Sequence, residues 1–300
     1  KSTEQVVVTG GSGFVGSRLV RHLSSIGYKV VSIDMNPPSE KVHGISYQRI
    51  HLLEVSVDAL AKLFEGSTVV HLAALSSSET CENNPLAALE LNIISTYKII
   101  QACNKVNSHL IFASTEWVYM NITDRSELSE NLALEMNKKL NLYSMSKMFG
   151  ETLIEKYSQS FVILRFGIIY GERKQPQSAV ESIVYNSFNN HGVEIGSLLT
   201  SRRFIHVDDI CSGIEKTLGR KKTSQIYNLS GNELVSLQRI IELTEAGLRE
   251  PIKTHSQNLE PSIRDPISTI FYKDFDWEPK ISINEGIQRL ISFYGQLGKE

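Results

Sequence analysis

The sequence predicts an α/β protein: a doubly wound parallel sheet followed by a smaller mixed C-terminal region. Three observations carry this. Short β-branched runs alternate with amphipathic helical patterns through the first half, three glycines punctuate the first strand-to-helix junction, and the rhythm breaks after residue 165. A chain of 300 residues with 41% hydrophobic content is long enough to bury a full core.

Strands are expected at Val6–Thr9, Val30–Asp34, Tyr47–Ile50, Thr68–Ala73, Leu110–Ser114 and Phe161–Arg165. Between the first two, Val15, Leu19, Leu23 and Ile26 recur at helical spacing, and Gly27 ends that helix. A longer helix is expected from about Pro85 to Val106, with Leu86, Leu89, Ile93, Tyr97 and Ile100 along one apolar face. Pro85 suits its first turn. Alternation of this kind argues for a parallel sheet covered by helices on both faces. After residue 165 strand signals shorten, as at Tyr227–Leu229, and a polar segment runs from Gly171 to Ser178. No internal repeat or low-complexity tract interrupts the chain.

The net charge of −2 gives no electrostatic footprint for nucleic acid or an anionic membrane, so neither is expected as a partner. The basic run Arg220, Lys221, Lys222 reads as a solvated loop. No apolar stretch is long enough to span a bilayer and KSTEQ is no signal peptide, so a cytoplasmic protein is expected. A chain opening on Lys1 reads as one trimmed or excised from a longer one. Cys81, Cys103 and Cys211 are widely spaced, with no CxxC and no histidine at ligand spacing. They read as reduced, buried thiols, and no metal site is expected.

The opening VVVTGGSGFVGSRLV sets Gly10, Gly13 and Gly16 between a strand and a helix in G-x-x-G-x-x-G spacing. Glycine lets the backbone approach a pyrophosphate, and the helix N-terminus offers unpaired N–H groups and the positive end of its dipole. In that context the loop reads as the dinucleotide-binding turn of a Rossmann-type sheet. Asp34 ends the second strand, where a carboxylate can accept both hydroxyls of an adenosine ribose and repel a 2′-phosphate. Met35 and Asn36 follow with no arginine beside them, which favours NAD over NADP. A strand-end aspartate capping a turn is the plainer alternative.

Tyr143 and Lys147 stand four apart in LYSMSKMFGETLIEKY, on one side of an expected helix. An ammonium near a phenol favours the phenolate and pulls the tyrosine pKa below about 10, which makes it a general acid or base. Tyr170 and Lys174 repeat the spacing, but Gly171 and the polar run after it argue against a helix there. The strand end ASTEWVYM brings Ser114, Thr115 and Glu116 just before the Tyr143 helix. Glu116 taken alone reads equally as a solvated or strand-capping carboxylate.

In order along the chain stand TGGSGFVG, Asp34, HLAA at 71–74, LNIIST around Asn92, Ser114-Thr115, YSMSK, RFGIIYG, RRFIHVDD, YNLSGNELVSL and DWEPKISINEGI. With this ordered set the chain resembles the extended short-chain dehydrogenase/reductases, in the nucleotide-sugar epimerase and dehydratase branch. The resemblance implies an NAD-binding Rossmann domain over residues 1–165. It implies a mainly substrate-binding region over 166–300, interwoven, with 203–218 packing back on the first domain. It implies that Gly10, Gly13 and Gly16 hold the pyrophosphate, with Phe14 and Val15 at the helix start. Asp34 would bind the adenosine ribose, and Ala73 and Ser114 would line the cofactor cleft. Tyr143 would be the base, Lys147 its electrostatic partner and a contact to the nicotinamide ribose, and Thr115 a ligand of the reacting sugar hydroxyl. Arg202 and Arg264 would meet the diphosphate, with Glu116 also on the substrate side. Asp208 reads as a helix N-cap. A homodimer through the helices near 85–105 and 143–158 is the family expectation.

Several positions depart from the pattern. His51 stands where an adenine-contacting Asp is frequent, Gly167 replaces an Asn, Glu172 a Pro, Arg203 an Asp and Met120 a Gly. The implied activity is that of a nucleotide-sugar 4-epimerase working through a transient 4-keto sugar. A 4-ketoreductase needs only the same Tyr-Lys-Thr set. A 4,6-dehydratase needs a further acid and base, and where that branch carries adjacent Asp and Glu this chain has Glu116-Trp117. A non-catalytic NAD-binding or sensing protein is the alternative of another class.

Overall fold

The structure, a computed structural model, describes residues 4–122, 127–188, 192–219 and 224–297. The basic run at 220–222 lies outside them.

The first half alternates as its sequence pattern predicts. It runs β1 (Gln5–Thr9), α1 (Phe14–Ser25), β2 (Lys29–Asp34), β3 (Ile45–Arg49), α2 (Val57–Phe64), β4 (Ser67–His71) and α3 (Ser78–Asn83). Then come α4 (Pro85–Leu89), a π-helical turn at Glu90–Ile94, α5 (Ser95–Val106) and β5 (His109–Thr115). A 3₁₀ turn at Glu116–Tyr119, α6 (Leu142–Tyr157) and β6 (Phe161–Phe166) complete this half. Shorter elements follow: β7 (Ile168–Tyr170), α7 (Ala179–Phe188), β8 (Val193–Ile195), β9 (Ser201–Arg202), β10 (Phe204–His206) and α8 (Val207–Thr217). The chain ends with β11 (Gln225–Leu229), β12 (Val235–Ser236), α9 (Leu237–Leu248), β13 (Thr254–Ser256), α10 (Thr269–Phe275) and α11 (Ile283–Leu297).

One seven-stranded sheet has the order β3-β2-β1-β4-β5-β6-β11. β1 lies between β2 and β4, parallel to both, with Val7 opposite Val31 and Val69. The order therefore reverses beside β1, and the crevice past the carboxyl ends of β1 and β4 is where such sheets take ligands. Helices cover the strands, so Val6, Val7, Val8, Val69, Val70, Leu110 and Ile163 are fully buried. That burial is why these strands read as unbroken apolar runs rather than alternating ones.

By its internal packing the chain divides into two compact units. One comprises Lys1–Ile122, Glu130–Arg165 and Cys211–Tyr227; the other comprises Thr123–Ser129, Phe166–Ile210 and Asn228–Glu300. The second has its own core, in which Tyr170, Val180, Ile183, Ile240, Ile287 and Leu290 are buried together.

The 85–106 helix corrects one expectation. Leu86, Leu89 and Tyr97 are exposed, while Ala88, Asn92, Ser95, Thr96, Ile99 and Ile100 face inward. A π turn, one residue wider than an α turn, lies within this helix at Glu90–Ile94. The cysteines are buried free thiols. Among the described residues no helix is long and apolar enough to cross a membrane.

Candidate active site

The glycine loop forms a cradle that side chains could not occupy. Gly10 sits at φ +73°, and a Cβ there would lie 2.7 Å from the Ala73 nitrogen. A Cβ on Gly16 would lie 2.0 Å from the Gly10 oxygen. Ala73 and the glycine loop are thus adjacent at the ends of β4 and β1. α1 begins directly after Gly13 with no acidic residue in its first turn and no side-chain cap, so the positive end of its dipole faces the loop. Phe14, Val15 and Gly16 form that first turn. The carboxylate of Asp34 accepts from the backbone nitrogens of Ser12 at 3.0 Å and Asn36 at 2.9 Å, which ties the end of β2 to the loop. A backbone cradle and a strand-end carboxylate are the donor and acceptor set that a dinucleotide's pyrophosphate and ribose require, so the residues fit NAD.

An arginine does lie near Asp34. Arg49 stands opposite it in the β2–β3 register and donates Nε to the Met35 oxygen at 3.1 Å. It comes from the next strand, out of reach of any reading of Met35 and Asn36. The preference for NAD therefore rests on the Asp34 carboxylate.

β5 delivers Ser114 and Thr115, and α6 delivers Tyr143 and Lys147. Asn141 starts that helix, its Oδ1 accepting from the Ser144 nitrogen at 2.8 Å. The Thr115 side chain lies near enough to the Tyr143 phenol to favour its ionised form. Lys147 Nζ donates to the Ala113 oxygen at 2.7 Å and lies 6.0 Å from the centre of the Tyr143 ring. Burial drives the Tyr143 pKa up to about 12, against the lowering effect of the Thr115 side chain. Burial also takes Lys147 down to about 8, opposed by Cys81 and Glu151. The expected depression of the tyrosine is thus overturned in this state. Desolvation dominates, and the Lys147 ammonium gives its hydrogen bond to a carbonyl rather than to the phenol.

Glu116 is fully buried in the 3₁₀ turn, so it is no solvated carboxylate. Trp117 follows it and donates its backbone N–H to Thr115 Oγ1 at 3.3 Å. The Ser114 hydroxyl donates to Glu151 Oε1 at 2.5 Å. Glu151 in turn pairs with Arg165 at 2.7 Å, and Arg165 donates to the Tyr119 hydroxyl at 2.9 Å. Sequence reasoning assigned no role to this buried network. Its signals were present: Glu151 is one turn beyond Lys147, and Arg165 is a charge inside the apolar run FVILRF.

Asn92 was noted only as part of a motif. Buried within the π turn, its amide pairs with both backbone groups of Leu75, at 2.8 and 3.0 Å, and donates to Ser146 Oγ at 3.0 Å. Ser146 is bonded to the Tyr143 oxygen at 2.8 Å. One amide therefore joins the segment after β4 to the turn of α6 that carries the tyrosine and lysine. His71 bridges Thr9 at 2.7 Å and Thr96 at 3.0 Å, and burial pushes its pKa down to about 3, so it stays neutral.

In the second unit, Arg202 and Arg264 lie on paired segments. Ser201 and Ile263 form a parallel bridge, and the Arg264 nitrogen donates to the Ser201 oxygen at 3.2 Å. Arg202 donates to Ser262 Oγ at 3.0 Å, and Arg264 is buried. Gly167 has a steric reason: a Cβ there would lie 2.7 Å from the Arg203 oxygen. Asp208 is not the cap of α8. His206 precedes the helix, and its Nδ1 accepts from the Asp208 nitrogen at 3.2 Å, while Asp208 itself pairs with Arg289 at 3.2 Å. Its neighbour Asp209 accepts from Lys280 and Ile281, which fixes the DWEPKIS segment. The segment 171–178 is not helical, so Tyr170 and Lys174 do not repeat the Tyr143–Lys147 arrangement.

Known proteins resemble this chain over nearly its whole length. A "Probable UDP-glucuronate 4-epimerase" of Rhizobium meliloti is 24% identical, over 97% of this chain and 96% of its own length. An "Uncharacterized UDP-glucose epimerase YtcB" of Bacillus subtilis is 28% identical over 98% of both chains. Among solved structures, MoeE5 in complex with UDP-glucuronic acid and NAD shares the fold at a TM-score of 0.87, with 22% identity over 98% of this chain and 99% of that one. UDP-glucuronic acid 4-epimerase from Bacillus cereus does so at 0.86, with 24% identity over 98% and 99%. The family model described as "NAD dependent epimerase/dehydratase family" matches residues 6–230. The chain belongs to that family.

Proposed function

We propose that this protein is an NAD-dependent nucleotide-sugar 4-epimerase. The observation that carries the reading is the buried Lys147 ammonium, one helical turn past Tyr143 on α6 and 6.0 Å from its ring centre, bonded to the strand that delivers Thr115. NAD, when bound, would supply the reversible hydride acceptor that a 4-epimerisation through a 4-keto sugar requires. Tyr143 accepts the C4 hydroxyl proton and gives it back, Thr115 orients the reacting oxygen, and Lys147 supplies positive charge to the tyrosine. Gly10, Gly13, Phe14, Val15 and Gly16 hold the pyrophosphate and Asp34 the adenosine ribose, with Ala73 and Ser114 at the cofactor cleft. Arg202 and Arg264 hold the sugar nucleotide's diphosphate, and Glu116 stands beside Thr115 on the substrate side.

Trp117 supports epimerisation over dehydration, because an indole cannot exchange a proton at neutral pH. The UDP sugars named with the relatives make UDP-glucose and UDP-glucuronate the first substrates to test. The test is incubation of the protein with these and with dTDP and GDP sugars, without added NADH, followed by NMR. Appearance of the C4 epimer is the expected result. If no sugar nucleotide yields its epimer, while a 4-keto sugar is reduced on addition of NADH, the protein is a ketoreductase instead.

We further propose a homodimer. Leu86, Leu89, Ile94 and Tyr97 on the 85–106 helix and Phe149 and Tyr157 on α6 are exposed. Tyr97 and Tyr157 touch edge to face with ring centres 5.6 Å apart, which joins them into one apolar surface.

A further inference from the structure

Arg203 occupies a position that the sequence comparison marked as a departure, and the structure shows what it contacts. Its Nε is bonded to the Asp265 carboxylate, and its NH1 donates to the Gly231 oxygen at 3.2 Å. Both partners of the ion pair are largely shielded from solvent, at 18% and 13% side-chain exposure, where a guanidinium–carboxylate bond resists screening. Asp265 is also held by its backbone, whose oxygen accepts from the Leu128 nitrogen at 2.9 Å.

The pair adds a side-chain tie to two segments already joined through their backbones. β9 is only two residues long, and its neighbour at 262–265 pairs with it at the Ser201–Ile263 bridge, where the Ser201 nitrogen donates to the Ser262 oxygen at 3.1 Å and its oxygen accepts from the Arg264 nitrogen at 3.2 Å. Arg202 and Arg264 lie on these segments, so like charges are brought together there. Residues 201–203 and 262–265 together carry three arginines and one aspartate. With Asp265 bonded to Arg203, the net charge of +2 equals in size the two negative charges of a sugar-nucleotide diphosphate.

We infer that the Arg203–Asp265 ion pair is a positioning pair that sets Arg202 and Arg264 side by side for a nucleoside diphosphate. Neither partner of the pair touches the ligand. The pair fastens β9 to the 262–265 segment and consumes the aspartate that would otherwise neutralise the clamp. This rests on the reading of Arg202 and Arg264 given above.

The test is calorimetric titration of the full chain with UDP, with NAD binding measured in the same samples as a check on the fold. Arg203→Asp sets two carboxylates against each other and should weaken UDP binding about tenfold or more, about 1.4 kcal/mol. The charge-swapped double variant Arg203→Asp/Asp265→Arg should return to within about threefold of the parent, a difference of under about 1 kcal/mol. In turnover assays the single variant should raise KM while leaving kcat near the parent's, and Arg203→Lys should fall between the two. UDP binding unchanged in Arg203→Asp, or no recovery in the swap while NAD still binds, overturns the inference. Arg202→Ala and Arg264→Ala separate the two levels. If both leave UDP binding intact, the diphosphate reading itself fails; if they weaken it and the Arg203 variants do not, only the positioning role fails.

Discussion

Lys147 donates to the carbonyl oxygen of Ala113 at 2.7 Å, two residues before Thr115 on the same strand. This hydrogen bond anchors a cation whose burial is costly, since its pKa falls from 10.5 to about 8. Between those values the unfolded chain holds a proton that the folded one has released, so stability rises with pH across that window and the penalty is full below about 8. A shift of this size corresponds to about 3 kcal/mol, and losing the Ala113 bond would return about 1–2 kcal/mol of it. Lys147→Met should therefore stabilise the cofactor-free protein by about 1–2 kcal/mol at pH 7, flatten its rise in stability above pH 8, and abolish turnover. Urea unfolding at several pH values reads the first two effects; a Met variant less stable than the parent at pH 7 would refute the account.

Glu151 and Arg165 form the opposite case, a buried pair in which both charges are satisfied. Removing one partner, as in Arg165→Met, strands the other and should cost about 3–5 kcal/mol. Adding Glu151→Leu should recover a large share of that loss, because an apolar pair tolerates burial. Thermal melts of the single and double variants decide it, and a double variant as unstable as the sum of the singles would argue against coupling.

Asp34 and Arg49 stand opposite each other on adjacent strands, beside the proposed place of the adenosine ribose. Asp34→Ala should remove the carboxylate that repels a 2′-phosphate and leave Arg49 able to meet it. The Kd for NADP should fall about tenfold or more, about 1.4 kcal/mol, while that for NAD rises. Arg49→Ala in that background should cancel the gain. Titration of both dinucleotides checks it.

Leu89→Arg combined with Phe149→Arg places charge on the exposed apolar surface of the 85–106 helix and α6. Light scattering should show the mass falling from two chains to one, with unfolding shifted to lower temperature. A parent protein already of single-chain mass would end the dimer proposal.

What the sequence disclosed and what it withheld divide along physical lines. β1, β2, β4, β5 and β6 lie within a residue or two of their expected bounds, because a buried parallel strand must be a β-branched run. The Gly10–Gly16 loop and the Tyr143–Lys147 spacing were legible for the same reason: each is local, and its chemistry depends on neighbours a few residues away. Arg49 beside Asp34, Glu151 against Arg165 and Arg203 against Asp265 were not, since each pair is made by the packing of distant segments. The raised pKa of Tyr143 is withheld for a related reason. Spacing locates the ammonium, but desolvation depends on everything packed around the phenol.

The π turn at Glu90–Ile94 changes how the 85–106 segment can vary. Each residue advances a helix by about 100°, so one deletion there would restore an ordinary α turn and rotate everything before it relative to α5 by that angle. Asn92 would swing off Leu75 and Ser146, and Leu86 and Leu89 would leave the outer face together. What this stretch must conserve is therefore its length. Side chains on its outer surface can be exchanged freely for others of like character, but a single-residue gap would disturb the tie to α6 and the proposed dimer surface at one stroke.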